Sequence, residues 1–353
     1  MNHRERILAA IRHEPVDRLP TDMWATVEVW EKLFNHFGIR GRGPAERMEL
    51  YDAVGIDGIF GVVPPYIGPA LPVKDGIRYD EWGMGYRMQD YGSGSYDEQV
   101  VFPLTQAKAL KELEEFPWPS PDWYDYAALP AQVAAYPDRA IECGYTALFY
   151  WHNRLRGLQQ SLMDPLAEPE MTEYLLLRLS DFFTTYHTRC FEALKGKIDL
   201  TQVTDDFGGQ FGLLLSPRLF ERFYRRPMQR AIDLAKSYNI FVFHHDDGDC
   251  RPLLPRLAQM GIDVLNPIQW RCGNWDLAAL KADFGGQFCF HSAVDNQQTI
   301  PFGSAEDVRA EVRMLGRTLF SDRRGLILAP CHNLQPITPL ENILALYDEA
   351  SKI

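Results

Sequence analysis

Apolar positions along the chain alternate between two periods, and the switch is clearest at 238–266. There YNIFVFHHDDGDCRPLLPRLAQMGIDVLN places a short apolar run, 240–243, before the polar cluster 244–249. An amphipathic segment, 253–260, and a second apolar run, 262–265, follow at once. This pattern predicts strand, polar loop, helix and strand. The rest of the chain repeats the unit. Ile7, Leu8 and Ile11 share one side of a helix over 3–13, and 18–23 is a short strand with Asp22 at its end. Val29, Trp30, Leu33, Phe34 and Phe37 face inward on a helix closed by Gly38, and a helix over 45–54 leads to a strand at 56–60.

Residues 61–121 break the rhythm with Gly, Pro and aromatics. Here the pattern predicts a β-hairpin excursion, 82–88 against 98–102, turned at 92–94, then a helical turn at 110–115. Further on come a strand at 140–150, helices at 155–163 and 170–194, and a strand at 198–204. Ser216-Pro217 opens a helix that runs to 238, with Ser as N-cap and Pro in the first turn. Beyond 265 the order is helix 276–284, strand 287–290, helix 305–320, strand 326–329 and helix 340–350. Eight strands, near 19, 57, 145, 201, 241, 264, 288 and 327, alternate with helices. The fold class is α/β, a (β/α)8 barrel with an N-terminal helical segment and a hairpin insertion. A doubly wound sheet fits less well, because no GxGxxG follows the first strand and polar residues sit at several strand ends.

The 353 residues, 46% hydrophobic and 24% charged, supply an ample core. A net charge of −12 argues against a nucleic-acid partner, since phosphate binding needs clustered Lys and Arg. No apolar run spans a bilayer, and residues 1–14 carry no signal-peptide pattern. Six scattered cysteines without a CxxC point to reduced thiols in a cytoplasm.

In such a barrel the strand C-termini gather at one mouth. They carry Asp22, Asp205, Asp206, His244, His245, Asp247, Asp249, Asn266, Gln269, His291, Asp295, Cys331, His332 and Asn333. Turns favour Asp and Asn in any protein. Three histidine-bearing strand ends need another reason, and an active site supplies it. His245, Asp247 and Cys331 are candidate metal ligands, because zinc accepts imidazole, carboxylate and thiolate and a catalytic site keeps one position open. The alternative for Cys331 is a small buried packing residue. Asp205-Asp206 is a candidate acid pair, of which one member faces in and the other caps. Glu81 and Trp82 are candidates to cover the mouth, or Trp82 is the hairpin's own core. Arg18 and Arg251 could hold a substrate carboxylate or pair with a structural Asp.

RERILAAIRHEPVDRLP at the N-terminus, DEWG at 80–83, TDDFGGQFGLLLSP at 204–217, FHHDDGDCRPLLPRLAQMGIDVLNPIQ at 243–269 and ILAPCHNLQPITPLENILALYD at 327–348 together resemble the uroporphyrinogen decarboxylase superfamily. The resemblance covers essentially the whole chain and implies one (β/α)8 domain over 1–353. True decarboxylases of that family clamp an acidic tetrapyrrole with arginines in an RQAGR-like segment. This chain reads RLPTDMWATVEVW there. The other branch transfers methyl groups between small substrates, thiols and corrinoid proteins at a zinc held by His-x-Cys and a later Cys. The matching positions are His245, Asp247 and Cys331, with Asp in place of the first Cys. The resemblance thus implies a zinc methyltransferase or O-demethylase working with a corrinoid protein or thiol. Asp205, Asp206 and His291 would position substrate or move a proton, and Glu81, Trp82, Asn266, Gln269, His332 and Asn333 would line its pocket. A metal-independent decarboxylase of uroporphyrinogen or a related carboxylate is the alternative. A corrinoid or tetrapyrrole binder without turnover is the other.

Overall fold

In the computed structural model, which describes residues 1–92 and 94–353, seven parallel strands curl into one sheet. In order they are Ile59–Gly61, Ala140–Thr146, Leu200–Val203, Phe241–His245, Val264–Asn266, Cys289–Val294 and Leu326–Pro330. The gap between the first and last is closed by three residues. Leu328 N–H donates to the Pro20 carbonyl (2.8 Å) and Asp22 N–H to the Leu328 carbonyl (3.0 Å). On the other side Asp57 and Gly58 N–H donate to the Thr21 carbonyl, at 3.1 and 3.0 Å. The fold is a (β/α)8-type barrel whose expected first strand has shrunk to one bridge at Thr21.

Side chains alternate across each strand. Inward positions near the strand starts, Ala140, Leu200, Phe243, Val264, Cys289 and Ile327, pack against Ile7, Leu8, Ala10 and Ile11 of the helix His3–Ile11. That helix is the floor. Its start is fixed by a capping box between Asn2 and Glu5. The helices outside the barrel, chief among them Pro169–Leu194, share the larger apolar core. No described helix is long and apolar enough to cross a membrane.

The excursion is a four-stranded antiparallel sheet, Val73–Lys74, Ile77–Tyr79, Gly85–Asp90 and Ser95–Val101. The expected hairpin is its last pair, with Gly85 opposite Val101 and Asp90 opposite Ser95. Ser93, in the expected turn, lies outside the described residues.

Other expectations need correction. The strand expected at 140–150 stops at Thr146, and the helix Leu148–Arg156 begins two residues later. An unbroken apolar run does not separate a buried strand from a buried helix. Gly157, at φ +84, ends that helix and leads into Leu158–Ala167, so the helix expected at 155–163 is the junction of two. The strand expected to end at Phe290 continues to Val294, paired throughout with Leu326–Pro330, which leaves His291 mid-strand.

One buried carboxylate ties the floor to the seam. Asp57, fully buried, accepts from Arg18 (2.7 and 2.9 Å), Thr21 N–H (3.1 Å) and Arg6, and meets His3 Nδ1 at 2.9 Å. Burial pushes its pKa up, but His3, Arg18 and Arg6 pull harder, and the carboxyl ends below its usual range. A depressed carboxylate contributes stability above its unfolded pKa of about 3.9 and loses it as pH falls through the folded value. Replacing Asp57 with Ala should cost about 3 kcal/mol at pH 7 in urea unfolding, because Arg6, Arg18 and the buried Thr21 N–H lose their shared acceptor and Arg6 keeps only Asp17 as a carboxylate partner. The variant should also show a smaller further loss below about pH 4 than the wild type.

Candidate active site

His245 ends its strand with the side chain at the barrel mouth, 15% exposed. Its orientation is set by Asn266 on the neighbouring strand, opposite it in register. Asn266 Nδ2 donates to the His291 carbonyl (2.9 Å) and to His291 Nδ1 (2.8 Å). A carbonyl only accepts, so the amide cannot be flipped. Its Oδ1 therefore faces His245 Nδ1, at 2.5 Å, and that nitrogen must carry a proton. Neutral His245 is left with a lone pair on Nε2, aimed into the mouth. The chain continues inward. His291 Nδ1 accepts, so Nε2 carries the proton and donates to Asp22 Oδ2 at 2.9 Å. Asp22 Oδ1 accepts from Ile59 N–H (3.2 Å).

Two carboxylates face the free His245 nitrogen across short gaps, and one of them also meets His332. Asp247 Oδ1 lies 3.6 Å away and Asp206 Oδ1 3.7 Å. Asp247 Oδ2 lies 3.6 Å from His332 Nε2. Ligand atoms of His245, Asp247 and His332 all fall within 4.8 Å of one another. Gln269 holds the carboxylate, donating to Asp247 Oδ1 (3.0 Å) while accepting from Gly248 N–H (2.6 Å). Burial pushes the Asp247 pKa up, against the pull of His245 and His332. Burial likewise lowers that of His332. The loops bearing Asp206 and Asp247 meet backbone to backbone. A Cβ on Gly248, at φ +83, would fall 2.6 Å from the Gly209 carbonyl oxygen, and one on Gly208 2.3 Å from the Asp247 carbonyl. Only glycine allows that approach. Trp24 packs beside all three imidazoles, with ring centroids 5.4 Å from His245, 5.8 Å from His291 and 6.3 Å from His332.

The family model described as uroporphyrinogen decarboxylase (URO-D) matches residues 144–353, which contain every one of these groups except Asp22, Trp24 and the Ile59 N–H. The chain belongs to the URO-D family. Its fold is similar to that of a methyltransferase from Methanosarcina mazei, at 20% identity and a TM-score of 0.66, over 100% of this chain and 99% of that one. A B12-independent methionine synthase from Shewanella sp. W3-18-1 is more distant, at 14% identity and TM-score 0.48 over 95% of this chain and 97% of that one. No curated protein sequence matches significantly.

Several expected site residues of this URO-D member lie elsewhere. Cys331 is not part of the group. Its thiol, 3% exposed, donates to the Ile268 carbonyl and accepts from Ser292 Oγ, both at 3.4 Å, and burial pushes its pKa up. The adjacent His332 takes the place beside Asp247. Asn333 acts through its backbone, whose N–H donates to His332 Nδ1 (2.7 Å). Asp205 turns away from Asp206 and accepts from Phe149 and Tyr150 N–H (2.9 and 2.7 Å) at the start of the helix Leu148–Arg156. Burial pushes its pKa well up, opposed by those two donors. His291 is 1% exposed and reaches the mouth only through Asn266. Glu81 accepts from Tyr124 (2.6 Å). Trp82, 2% exposed, is core, packed against Trp151, Phe182 and Phe183 where the excursion meets the helices. Arg18 pairs with Asp57 and Arg251 with Asp249. Unanticipated were Trp24, one residue past the expected first strand, and the inward-facing Glu142 and Gln202. Charged and amide side chains at alternate positions of otherwise apolar strands were the available signal for that last pair.

The geometry predicts that in metal-free protein His245 is the Nδ1–H tautomer. Selective ¹⁵N-histidine NMR should show an unprotonated Nε2, and Asn266→Ala should remove the preference. A bare Nδ1 in the wild type would overturn the hydrogen-bond assignment.

Proposed function

We propose that this chain is a methyltransferase of the URO-D family that uses a divalent metal, zinc, held by His245, Asp247 and His332. It would move a methyl group from a small methylated substrate to a corrinoid protein or a thiol. The observation that carries this reading is the His245–Asp247–His332 group, with one imidazole nitrogen already bare and aimed at the carboxylate. Two imidazoles and a carboxylate, with room for one more ligand, form a donor set known at catalytic zinc. The whole-length likeness to a methyltransferase supports the choice of reaction.

The donor set differs from the thiolate site that the resemblance implies. Cys331 is tied to a carbonyl and Asp247 stands where a thiolate would. Nitrogen and oxygen donors are harder, which favours an oxygen-bearing substrate such as a methyl ether. Zinc bound there would supply Lewis-acid polarisation of that oxygen. The protein's own groups do the rest. Asn266 and His291 hold His245 in one tautomer, as supporting residues of a metal ligand do. Gln269 fixes Asp247. His332 gives up the Asn333 N–H bond when its Nε2 lone pair is used. Asp206, 49% exposed at the rim, is placed to take or return a proton. In the net reaction the methyl–oxygen bond breaks with its pair left on oxygen, and the acceptor's nucleophile forms the new bond to carbon. Decarboxylation of a tetrapyrrole is second, because Arg6 and Arg18 are both committed to Asp57.

Elemental analysis of anaerobically purified protein should find one zinc per chain. His332→Ala and Asp247→Ala should lose it, Cys331→Ser should keep it, and Asn266→Ala should weaken affinity about 10–100-fold. Absence of stoichiometric zinc, or loss in Cys331→Ser with retention in His332→Ala, would sink this reading.

A further inference from the structure

Beside the His245 group, between the closing segment and the first strands, lies a cavity of about 170 Å³. Trp24, Phe243 and Tyr51 give it aromatic walls, Glu142 and Gln202 line its interior, and Arg47 reaches it from the helix Pro44–Val54. The interior of such a barrel is normally filled by branched apolar side chains in layers. A carboxyl there is costly unless something uses it.

Glu142 has one protein partner, the Gln202 amide, which donates to Oε1 at 2.8 Å. No cation pairs with it among the described residues. Burial pushes its pKa up to about 8, with Gln202 pulling down and Asp22 adding to the rise. The rise favours the neutral acid, which has a proton to donate, beside a Gln202 oxygen able to accept. Arg47 has no carboxylate partner among the described residues. Its guanidinium lies over the rings of Trp30 (5.0 Å), Phe60 (5.7 Å) and Tyr51 (5.8 Å), a stack that holds the cation in place. Trp24 is the shared wall, lining the cavity on one side and packing on His245 and His332 on the other.

Size and chemistry define the occupant. At roughly 30 Å³ per water, the volume equals about six waters, room for one substituted ring and far too little for a tetrapyrrole. Flat walls suit a flat ring. The one cation calls for an anion, since the Asp22 carboxylate that also lines the cavity is taken up by His291 and the Ile59 N–H, and the Glu142–Gln202 pair calls for an oxygen substituent.

We propose that this cavity is the substrate pocket of the same site and takes a single-ring aromatic carboxylate, a hydroxylated or methoxylated benzoate. The ring lies against Trp24 and Phe243, the carboxylate on Arg47, and a ring oxygen on Glu142 and Gln202. The methyl ether as reacting group rests on the methyl-transfer reading; the ring and carboxylate do not.

The test is isothermal titration of 4-methoxybenzoate and, as the uncharged probe, methoxybenzene into wild type, Arg47→Leu, Glu142→Leu and Glu142→Gln. Urea midpoints establish that each variant is folded. Wild type should bind the carboxylate at least about tenfold more tightly than methoxybenzene, the worth of one charge-assisted contact. Arg47→Leu should abolish that difference. Glu142→Leu should weaken both ligands about tenfold, and Glu142→Gln, which keeps a neutral donor, should restore most of the loss. Failure of wild type to bind 4-methoxybenzoate or to prefer it, or wild-type affinities in Arg47→Leu and Glu142→Leu, would overturn the pocket. Binding as expected with no methyl transfer by the zinc-loaded enzyme would instead overturn the reaction. Turnover unaffected by Arg47→Leu and Glu142→Leu would overturn the pocket and spare the reaction.

Discussion

The barrel depends on a seam three residues long. Pro20, Thr21 and Asp22 hydrogen-bond to the last strand on one side and to the chain before the first strand on the other, with almost no strand of their own. So short a closure has few ladder bonds to lose. It is reinforced by side chains instead, from Asp57 gripping Thr21 N–H, Arg18 and Arg6, to Tyr347 donating to the Asp22 carbonyl (2.9 Å). The seam also ends in the site. Asp22 holds His291, His291 takes the Asn266 amide, and Asn266 fixes His245. Closing the barrel and choosing the tautomer of the mouth histidine are thus parts of one hydrogen-bonded structure, spread over residues 22 to 291.

The barrel was legible because the hydrophobic period changes where elements change. Helix Leu340–Ala350 and the strand leading to His245 fall where the pattern puts them. The errors have physical causes. The first strand is short because its hydrogen bonds come from neighbours far away in sequence. The 140–150 run was overextended because the polarity of its residues does not change as the backbone turns from strand to helix. Trp82 looked like a lid because it sits in an excursion. Its burial comes from Phe182 and Phe183 on a helix a hundred residues later.

The site was legible as a set of loops and less so as a set of atoms. His245 and Asp247 stand out by type and spacing, and the structure sets them 3.6 Å apart. Beyond Pro330, strand alternation no longer applies, and the loop turns Cys331 onto Ile268 and presents His332. A one-residue offset sets a nitrogen rather than a sulfur beside Asp247. Asp205 and Asp206 divide their work in the same way, one accepting from the first N–H groups of a helix and one left in the mouth. Glu142 and Gln202 went unnoticed because sequence patterns weigh strand ends, whereas these residues lie within strands and face the interior.

The floor helix gives the barrel a traffic rule. With Ile7, Leu8 and Ile11 stoppering the end where the strands begin, the chamber beside Trp24 has no way out through the floor. Traffic is left to its other sides, where Trp24 and the exposed Arg47 line it. Loading and unloading of that recess would then fall to the half of the barrel that also carries His245 and His332.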